Sequence, residues 1–355
     1  MSLENVIAGS HGQSREAGRT DYPTTVFDFD PKAYAEEFRS KGYVLIKDGV
    51  TPEFIGLARK QLAAYRRDSS RFLSDWEIEN KKQQYLFDFP DADDNALLRG
   101  VMDTVAAVTG MASDKVTVSE RHLKIYAPNA HPNPPAHKDR FASKIAVGIP
   151  LFMPTESAVI VYPNQSRDVN EFDSAEEWRN SLAESELPEN ALKNVKPEKL
   201  FVGIGDVVML SGSALYHERE NGANAVLLYL KFNDMGLDPL AEDPFVDARR
   251  TATLENAARL KDRDLLESVV ELSPRLVRIS RHHTRNGWGT FLTAQAAGGN
   301  PFSLSEDEWA LLRRIRHGQT ARELLFYAGV PETEMPVYLR CLRRLGECGG
   351  IEILS

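Results

Sequence analysis

The most informative segment of the sequence reads Pro135-Ala136-His137-Lys138-Asp139, and the apolar run Ile145-Ala-Val-Gly-Ile-Pro-Leu151 follows it. Residues i and i+2 of a strand point to the same face, so the imidazole of His137 and the carboxylate of Asp139 can converge on one metal ion. His217 lies further along, after a Gly205-Asp206 turn and a second apolar run. Two imidazoles and one carboxylate on a β scaffold predict a facial metal site with open coordination positions.

The sequence around these residues is rich in short β patterns. Between Lys115 and Asp234, apolar runs alternate with Pro, Gly, Asn and Asp, which is typical of a sandwich or barrel. The charged stretch 171–199 is predicted to be a helical insertion between strands. Predicted strands are Arg121–Tyr126, Lys144–Leu151, Ala158–Tyr162, Leu200–Ile204, Asp206–Leu210 and Ala225–Phe232.

Helices are predicted on both sides of this region, which gives an α+β class. Before it, Pro31–Lys41, a helix opened by Thr51-Pro52 and Asn95–Thr109 have helical patterns. After it, Asp247–Arg259 and Arg263–Val270 do so as well.

Four segments resemble the Fe(II)/2-oxoglutarate-dependent oxygenases and, within them, the phytanoyl-CoA dioxygenase-like group. They span roughly residues 26–236 and are Phe38-Arg-Ser-Lys-Gly42-Tyr43-Val-Leu-Ile-Lys-Asp-Gly-Val-Thr51-Pro52-Glu53, Pro135–Asp139 with Ile145–Leu151, Val161-Tyr-Pro163-Asn-Gln-Ser166, and Gly205-Asp206 before His217. The resemblance implies a double-stranded β-helix (jelly-roll) core with flanking helices. It also implies Fe(II), 2-oxoglutarate and O2, with His137, Asp139 and His217 as metal ligands and catalytic residues.

The chain differs from this family in the cationic residue that binds the distal carboxylate of 2-oxoglutarate. An Arg is usual on the strand after the distal histidine, whereas Lys231 is the only cation there. A buried carboxylate needs a cationic partner, so Lys231 is the first candidate. Lys124, on the same predicted strand face as Tyr126, is the rival, with Tyr126 as a hydrogen-bonding partner for the co-substrate. A third candidate is Lys144.

Asp139 also bears on the reaction. Related halogenases lack the carboxylate, so its presence here favours an oxygenative outcome such as hydroxylation, while desaturation and ring formation stay open. We expect a small metabolite as substrate, with specialised biosynthesis as one setting. Arg140 and Arg219 flank the ligands and are the candidates for holding an anionic group of the substrate.

Composition excludes several other classes. Acidic residues outnumber basic ones, 52 to 43, and the net charge of −9 disfavours a protein that coats nucleic acid or anionic lipid. The longest apolar run is too short to span a bilayer, and the N-terminus has no apolar signal core. The two cysteines, Cys341 and Cys348, form no disulfide framework, so the expected location is a reducing cytoplasm.

The predicted organisation has four parts. Residues 1–24 are a mobile tail, 25–240 the jelly-roll domain, 241–302 a helical and turn-rich connector, and 303–355 a small winged-helix-like module. The module opens with a capping box at Ser305 and Glu308. Its charge balance is weak for nucleic acid, so dimerisation, covering of the active site, or a carrier or peptide partner are the expected roles.

Two alternatives stay open from the sequence. The first is a non-catalytic β-barrel that binds or regulates, with a vestigial metal site and a C-terminal module for DNA or a partner. The second is a cupin-type iron enzyme that binds its substrate directly to the metal without 2-oxoglutarate.

Overall fold

The computed structural model describes residues 23–68, 72–76, 82–90, 95–129, 135–163, 169–172, 174–283 and 290–355. The chain divides into two compact units. The first contains the described residues up to Val116 together with Glu120–Met235, and the second contains Thr117–Ser119 and Gly236–Ser355. Residues 1–22 of the tail predicted for 1–24 lie outside the described residues. Residues 164–166, which belong to the third segment that carries the family resemblance, also lie outside them.

Three helices of the first unit precede its main strands, where the sequence predicts them: α1 (Lys32–Lys41), α2 (Pro52–Tyr65) and α3 (Ala96–Thr109). The hydroxyl of Thr51 accepts the Phe54 backbone N–H at 3.4 Å, which caps α2. Gly42 and Gly110 follow α1 and α3 with φ of 77° and 78°, a left-handed conformation that favours glycine.

The larger sheet of the first unit has seven strands in the spatial order β1-β8-β5-β10-β4-β3-β2. Every pairing that the structure resolves in it is antiparallel. Its strands are β1 (Tyr43–Ile46), β2 (Phe72–Trp76), β3 (Lys82–Leu86), β4 (Thr117–Tyr126), β5 (Ile145–Phe152), β8 (Val207–Leu210) and β10 (Val226–Asn233).

The smaller sheet has the order β7-β6-β9, with β6 (Ala158–Val161), β7 (Glu198–Phe201) and β9 (His217–Glu220). From β5 to β10 the chain crosses between the two sheets four times, and the pairings of the smaller sheet are also antiparallel. The region 171–199, predicted as a helical insertion, carries α4 (Ala175–Ser181), a 3₁₀ turn (Glu184–Glu186) and α5 (Pro188–Ala191) between β6 and β7.

The second unit has one hydrophobic core, which includes Leu265, Val270, Leu292, Leu311 and Leu342. The helices and strands of the whole second unit are α6 (Pro244–Arg259), α7 (Asp262–Glu267), β11 (Val269–Leu272), β12 (Leu276–His283), β13 (Thr290–Ala296), β14 (Phe302–Leu304), α8 (Glu306–Leu312), α9 (Ala321–Tyr327), α10 (Met335–Glu347) and β15 (Ile351–Leu354). Segment 241–302, expected as a helical and turn-rich connector, also contains three strands, β11 to β13, and the first residue of β14.

One element of this unit differs from the sequence expectation, and another agrees with it. The helix predicted for 263–270 ends at Glu267, because Val269–Leu272 pairs with the distant strand β15. The capping box of Ser305 and Glu308 is present. The winged-helix interpretation of 303–355 stays a prediction, as do its partners. None of the described helices has both the length and the apolar character needed to cross a membrane.

A buried carboxyl group makes the second unit sensitive to pH. Glu352 on β15 is 1% exposed and faces Glu271 across the β11–β15 pair. Arg249 Nε is 3.2 Å from Glu352 Oε2, but neither atom is hydrogen-bonded among the described residues. Burial, and then Glu271, raise the pKa of Glu352 from 4.5 to about 7, against the opposing effect of Arg249.

We expect the stability of this unit to fall as the pH rises from 4.5 towards 7. Protonation of a group whose folded-state pKa is raised favours the folded state, and this contribution is lost at higher pH. The shift corresponds to at most about 3 kcal/mol. Hydrogen exchange of the β15 amides should report it, and Glu352→Gln should flatten the pH profile. A wild-type profile that is already flat over this range contradicts the prediction.

Candidate metal centre

Backbone hydrogen bonds bring His137 and His217 together. His137 N–H donates to His217 O at 3.0 Å, and His217 N–H donates to His137 O at 2.9 Å. Among the described residues, this isolated bridge is the one strand-like contact of the 137–139 triplet, which is otherwise irregular. The expectation that the whole triplet lies on a strand is therefore wrong, although both of its outer side chains do converge on His217.

The two imidazole rings are held in the same way. Nδ1 of His137 donates to Pro135 O at 3.0 Å, and Nδ1 of His217 donates to Leu215 O at 3.0 Å. Carbonyl oxygens only accept, so both Nε2 atoms are left as acceptors, the form that ligates metal ions. The ring centroids are 4.5 Å apart.

Asp139 completes the group. Its Oδ1 is 3.9 Å from Nε2 of His137, and its Oδ2 is 3.8 Å from Nε2 of His217. The backbone of Asp139 is fixed by its N–H to Gly212 O and by Asn170 Nδ2 to its carbonyl, both at 2.8 Å. One ligand atom from each of the three residues can be chosen so that all lie within 4.8 Å of one another.

The donor set fits a divalent cation. Asp139 Oδ2 is buried and accepts no hydrogen bond from the described residues, which leaves a charged oxygen unsatisfied in the site. Burial and the neighbouring His217 lower the pKa of His137 to about 3. Burial opposes ionisation of Asp139, but Lys231 and His217 outweigh it and lower the pKa of that carboxyl. The site therefore holds the neutral imidazole of His137 and the carboxylate of Asp139, next to the imidazole of His217.

A buried ionic network supports Asp139 from behind. Lys231 Nζ donates to Asp139 Oδ1 at 2.8 Å and lies 3.4 Å from Oε2 of Glu120, which is 2% exposed. Arg140 Nε is 3.2 Å from the other oxygen of Glu120, and Ser143 Oγ donates to it at 3.1 Å. Although burial opposes its ionisation, Lys231 and Arg140 lower the pKa of Glu120 to about 2.

A cavity in the first unit opens onto the three candidate ligands. Its remaining polar lining residues are Lys124, Tyr126, Glu218, Arg219, Tyr229 and Lys231. Its apolar lining residues are Ala146, Gly148, Val159, Val202, Val208, Leu210 and Leu227. Strand β10 contributes alternate residues, as the period of a strand requires.

The other predicted site residues fall into two groups. Lys124, Tyr126, Arg219 and Lys231 line the cavity, although Lys231 is occupied by Asp139 and Glu120. Arg140 is not among the lining residues and pairs with Glu120. It belongs to the ionic network behind Asp139.

Sequence reasoning missed Glu120, Tyr229 and Ser157. Tyr229 shares its strand face with Lys231, so the alternation of β10 was a usable signal for it. Glu120 and Ser157 gave no such signal. Their positions depend on contacts with residues far away in the sequence.

The backbone at Gly212 leaves room for the carboxylate of Asp139. A Cβ atom at this position would lie 2.5 Å from Asp139 Oδ2 and 3.0 Å from Ser143 O. We expect Gly212→Ala to displace the carboxylate and weaken the binding of Ni(II) by roughly 10–100-fold, as for other changes that misorient a ligand. Equilibrium dialysis measures this.

Gly100→Ala is the matched control for Gly212→Ala. Gly100 lies within α3, and a Cβ there meets nothing within 4 Å. This substitution should leave Ni(II) affinity unchanged and raise stability by up to about 1 kcal/mol. Equal Ni(II) affinities for both variants and the wild type would mean that the carboxylate is not held as described.

No family model matches this chain, and no curated protein matches it. Several solved structures that resemble it are iron- or 2-oxoglutarate-dependent enzymes. The non-haem α-ketoglutarate-dependent epimerase SnoN from nogalamycin biosynthesis is 12% identical, with a TM-score of 0.43 over 57% of this chain and 83% of that one.

Two further structures have similar statistics. A Pseudomonas putida prolyl-4-hydroxylase is 13% identical, with a TM-score of 0.36 over 57% of this chain and 98% of that one. HygX from Streptomyces hygroscopicus, crystallised with nickel and 2-oxoglutarate, is 13% identical, with a TM-score of 0.39 over 58% and 88%. SnoN was also crystallised with Fe3+ and α-ketoglutarate. All these TM-scores lie below 0.5, so the proposals that follow rest on this chain's own residues.

Proposed function

We propose that this chain is a non-haem Fe(II)- and 2-oxoglutarate-dependent oxygenase that acts on a small metabolite. The observation that carries the proposal is the unsatisfied, buried oxygen of Asp139 beside two imidazoles whose Nε2 atoms are free to bind a metal. Two His and one carboxylate on one face form the ligand set of non-haem Fe(II) oxygenases. The narrower resemblance to the phytanoyl-CoA dioxygenase-like group stays a prediction.

His137, Asp139 and His217 would hold the ion, and three coordination positions would stay open towards the cavity. When bound, ferrous iron supplies the chemistry of O2 activation, with 2-oxoglutarate as the source of two electrons. The protein supplies orientation and environment. The Pro135 and Leu215 carbonyls fix the two rings, and Lys231 holds one oxygen of Asp139.

The cavity walls suit an oxidation that must exclude water. Buried aliphatic side chains line the cavity beside the ligands, among them Val159, Val208, Leu210 and Leu227. A water-poor site protects a reactive intermediate and strengthens each electrostatic contact within it. This supports a small organic substrate rather than a macromolecule.

We further propose hydroxylation as the reaction. Asp139 is itself the third candidate protein ligand. A halide therefore has no missing carboxylate ligand to replace. Desaturation and cyclisation use the same ligands and would be recognised by their products.

The test uses the full chain with Fe(II), 2-oxoglutarate, O2 and a panel of candidate metabolites. Succinate release coupled to O2 consumption is expected, with a product heavier by one oxygen or lighter by two hydrogens in mass spectrometry. Without O2, Fe(II) and 2-oxoglutarate together should give a visible charge-transfer band that His137→Ala removes.

Other outcomes identify the alternatives. Metal binding with O2 consumption but without succinate would indicate a cupin-type iron enzyme. The absence of any Fe(II) binding would indicate a non-catalytic binding protein.

A further inference from the structure

Arg219 occupies an unusual position for a charged residue. It lies on β9 two residues after His217, so both side chains are on the same face of the strand, and both line the cavity. Only 5% of Arg219 is exposed. Its guanidinium group is therefore a buried positive charge inside the cavity that contains the candidate metal ligands.

The partners of Arg219 are neutral. Its Nε and Nη2 donate to the Tyr229 hydroxyl at 3.2 and 3.0 Å, and its Nη1 donates to Ser157 Oγ at 3.4 Å. Burial raises the pKa of Tyr229, so this phenol stays protonated and does not balance the charge. Arg219 forms no ion pair with a carboxylate among the described residues.

The two acidic neighbours of Arg219 in the sequence are engaged elsewhere. Glu218 accepts a hydrogen bond from the Tyr162 hydroxyl at 2.6 Å, and Glu220 pairs with Lys199 at 2.7 Å. A buried guanidinium without an anion is unfavourable, because the low-dielectric interior does not replace the lost hydration. The guanidinium of Arg219 is therefore suited to pair with an anion that enters the cavity.

The groups around Arg219 are suited to a carboxylate. The Tyr126 hydroxyl lies 3.4 Å from that of Tyr229. Tyr229 accepts from Arg219, so its own hydrogen can be donated either to the Tyr126 oxygen or to a ligand in the cavity. Lys124 Nζ, 5.2 Å from the centre of the Tyr229 ring, adds positive potential. A planar guanidinium with hydroxyl donors matches the two oxygens of a carboxylate.

Distance along the strand limits the length of the ligand. Residues i and i+2 of a strand are roughly 7 Å apart, so His217 and Arg219 can contact opposite ends of a short molecule. Lys231 is less suitable than Arg219 for the far end, because it is already bound by Asp139 and Glu120 next to the ligands.

We propose that Arg219, assisted by the Tyr126 and Tyr229 hydroxyls, binds the distal carboxylate of 2-oxoglutarate. This proposal rests on the proposed function. It moves the anion-binding residue from the strand after the distal histidine, where Lys231 lies, to the strand of the distal histidine itself. Tyr126, Tyr229 and Arg219 thereby become binding residues for the co-substrate.

The test compares two ligands on the full chain loaded with Mn(II). The first is 2-oxoglutarate, and the second is 2-oxopentanoate, which has the same carbon chain but no distal carboxylate. Isothermal titration should show that the wild type binds 2-oxoglutarate about a hundredfold more tightly, as expected for hydrogen bonds between charged groups. Arg219→Met should bring this ratio close to one through the loss of 2-oxoglutarate affinity, and Arg219→Lys should give an intermediate ratio.

Lys199→Met is the matched control, since Lys199 is an exposed cation on the same small sheet and pairs with Glu220. In this variant, the ratio of the affinities for 2-oxoglutarate and 2-oxopentanoate should equal that of the wild type. An unchanged ratio in Arg219→Met overturns the assignment of Arg219 while leaving the proposed function intact. A wild-type protein that binds Mn(II) but not 2-oxoglutarate overturns both.

The variants Tyr126→Phe and Tyr229→Phe provide a second test if Arg219→Met no longer binds Mn(II). Each removes one hydroxyl from the cluster and should lower the ratio severalfold with Mn(II) affinity retained. If neither changes the ratio, the cluster does not bind the carboxylate.

Discussion

His217→Ala is expected to lower the affinity for Co(II), a spectroscopic substitute for Fe(II), by more than about a hundredfold. The substitution removes one of three ligands, whereas changes behind the ligands already cost 10–100-fold. The backbone bridge between residues 137 and 217 does not involve the removed ring, so the fold should persist. The Co(II) absorption spectrum and equilibrium dialysis measure the effect.

His282→Ala is the matched control for this variant. His282 lies on β12 in the second unit, where its Nε2 is 3.0 Å from the Thr293 hydroxyl. Its loss should leave Co(II) affinity unchanged. Equal affinity losses in the two variants would mean that the ion binds elsewhere.

Lys231→Met is expected to destabilise the metal-free protein by about 3–5 kcal/mol, the range for removing one partner of a buried ion pair. Lys231 is the cation shared by Asp139 and Glu120, and all three side chains are buried. Its loss leaves two carboxylates close together without that charge. Urea unfolding of wild type and variant measures the difference.

Lys144→Met is the control for Lys231→Met. Lys144 pairs with Asp234 at 2.7 Å, but its side chain is 42% exposed, so its loss should cost less than about 1 kcal/mol. Adding Glu120→Gln to Lys231→Met should recover part of the stability, because it removes one of the unpaired charges. Saturating Ni(II) should also reduce the deficit, because the cation balances Asp139. A deficit no larger than that of Lys144→Met would refute the network.

The sequence was informative where short-range periodicity determines the geometry. The spacing of His137 and Asp139, and the alternation that places Leu227, Tyr229 and Lys231 on one face, needed only local patterns. The structure brings the three candidate ligands together as the pattern predicts, and β10 does present these residues to the cavity.

The role of each cation was not accessible in this way. Lys231 lies opposite Ala146 on β5, and its Nζ reaches Glu120 on β4. These contacts depend on strand register across large sequence separations. Sequence alone therefore made Lys231 the first choice for the co-substrate and left Arg219 as a substrate contact.

The second unit shows the same limit for secondary structure. The helix predicted for 263–270 includes the first residues of the strand Val269–Leu272, which instead pairs with Ile351–Leu354. Local sequence could not reveal that residues about eighty positions apart pair. Strand β3 was missed for a similar reason, since it pairs with β4 on the far side of helix α3 in the chain.

The paired backbone of His137 and His217 has a consequence for how the protein responds to chelators. The amide of each residue donates to the carbonyl of the other. An ion bound by both imidazole rings would therefore also hold the two backbone segments together. Stripping the ion should then loosen the bridge itself, and deuterium should enter these two amides faster. Occupancy of the centre could in this way be followed in a protein that is never given a substrate.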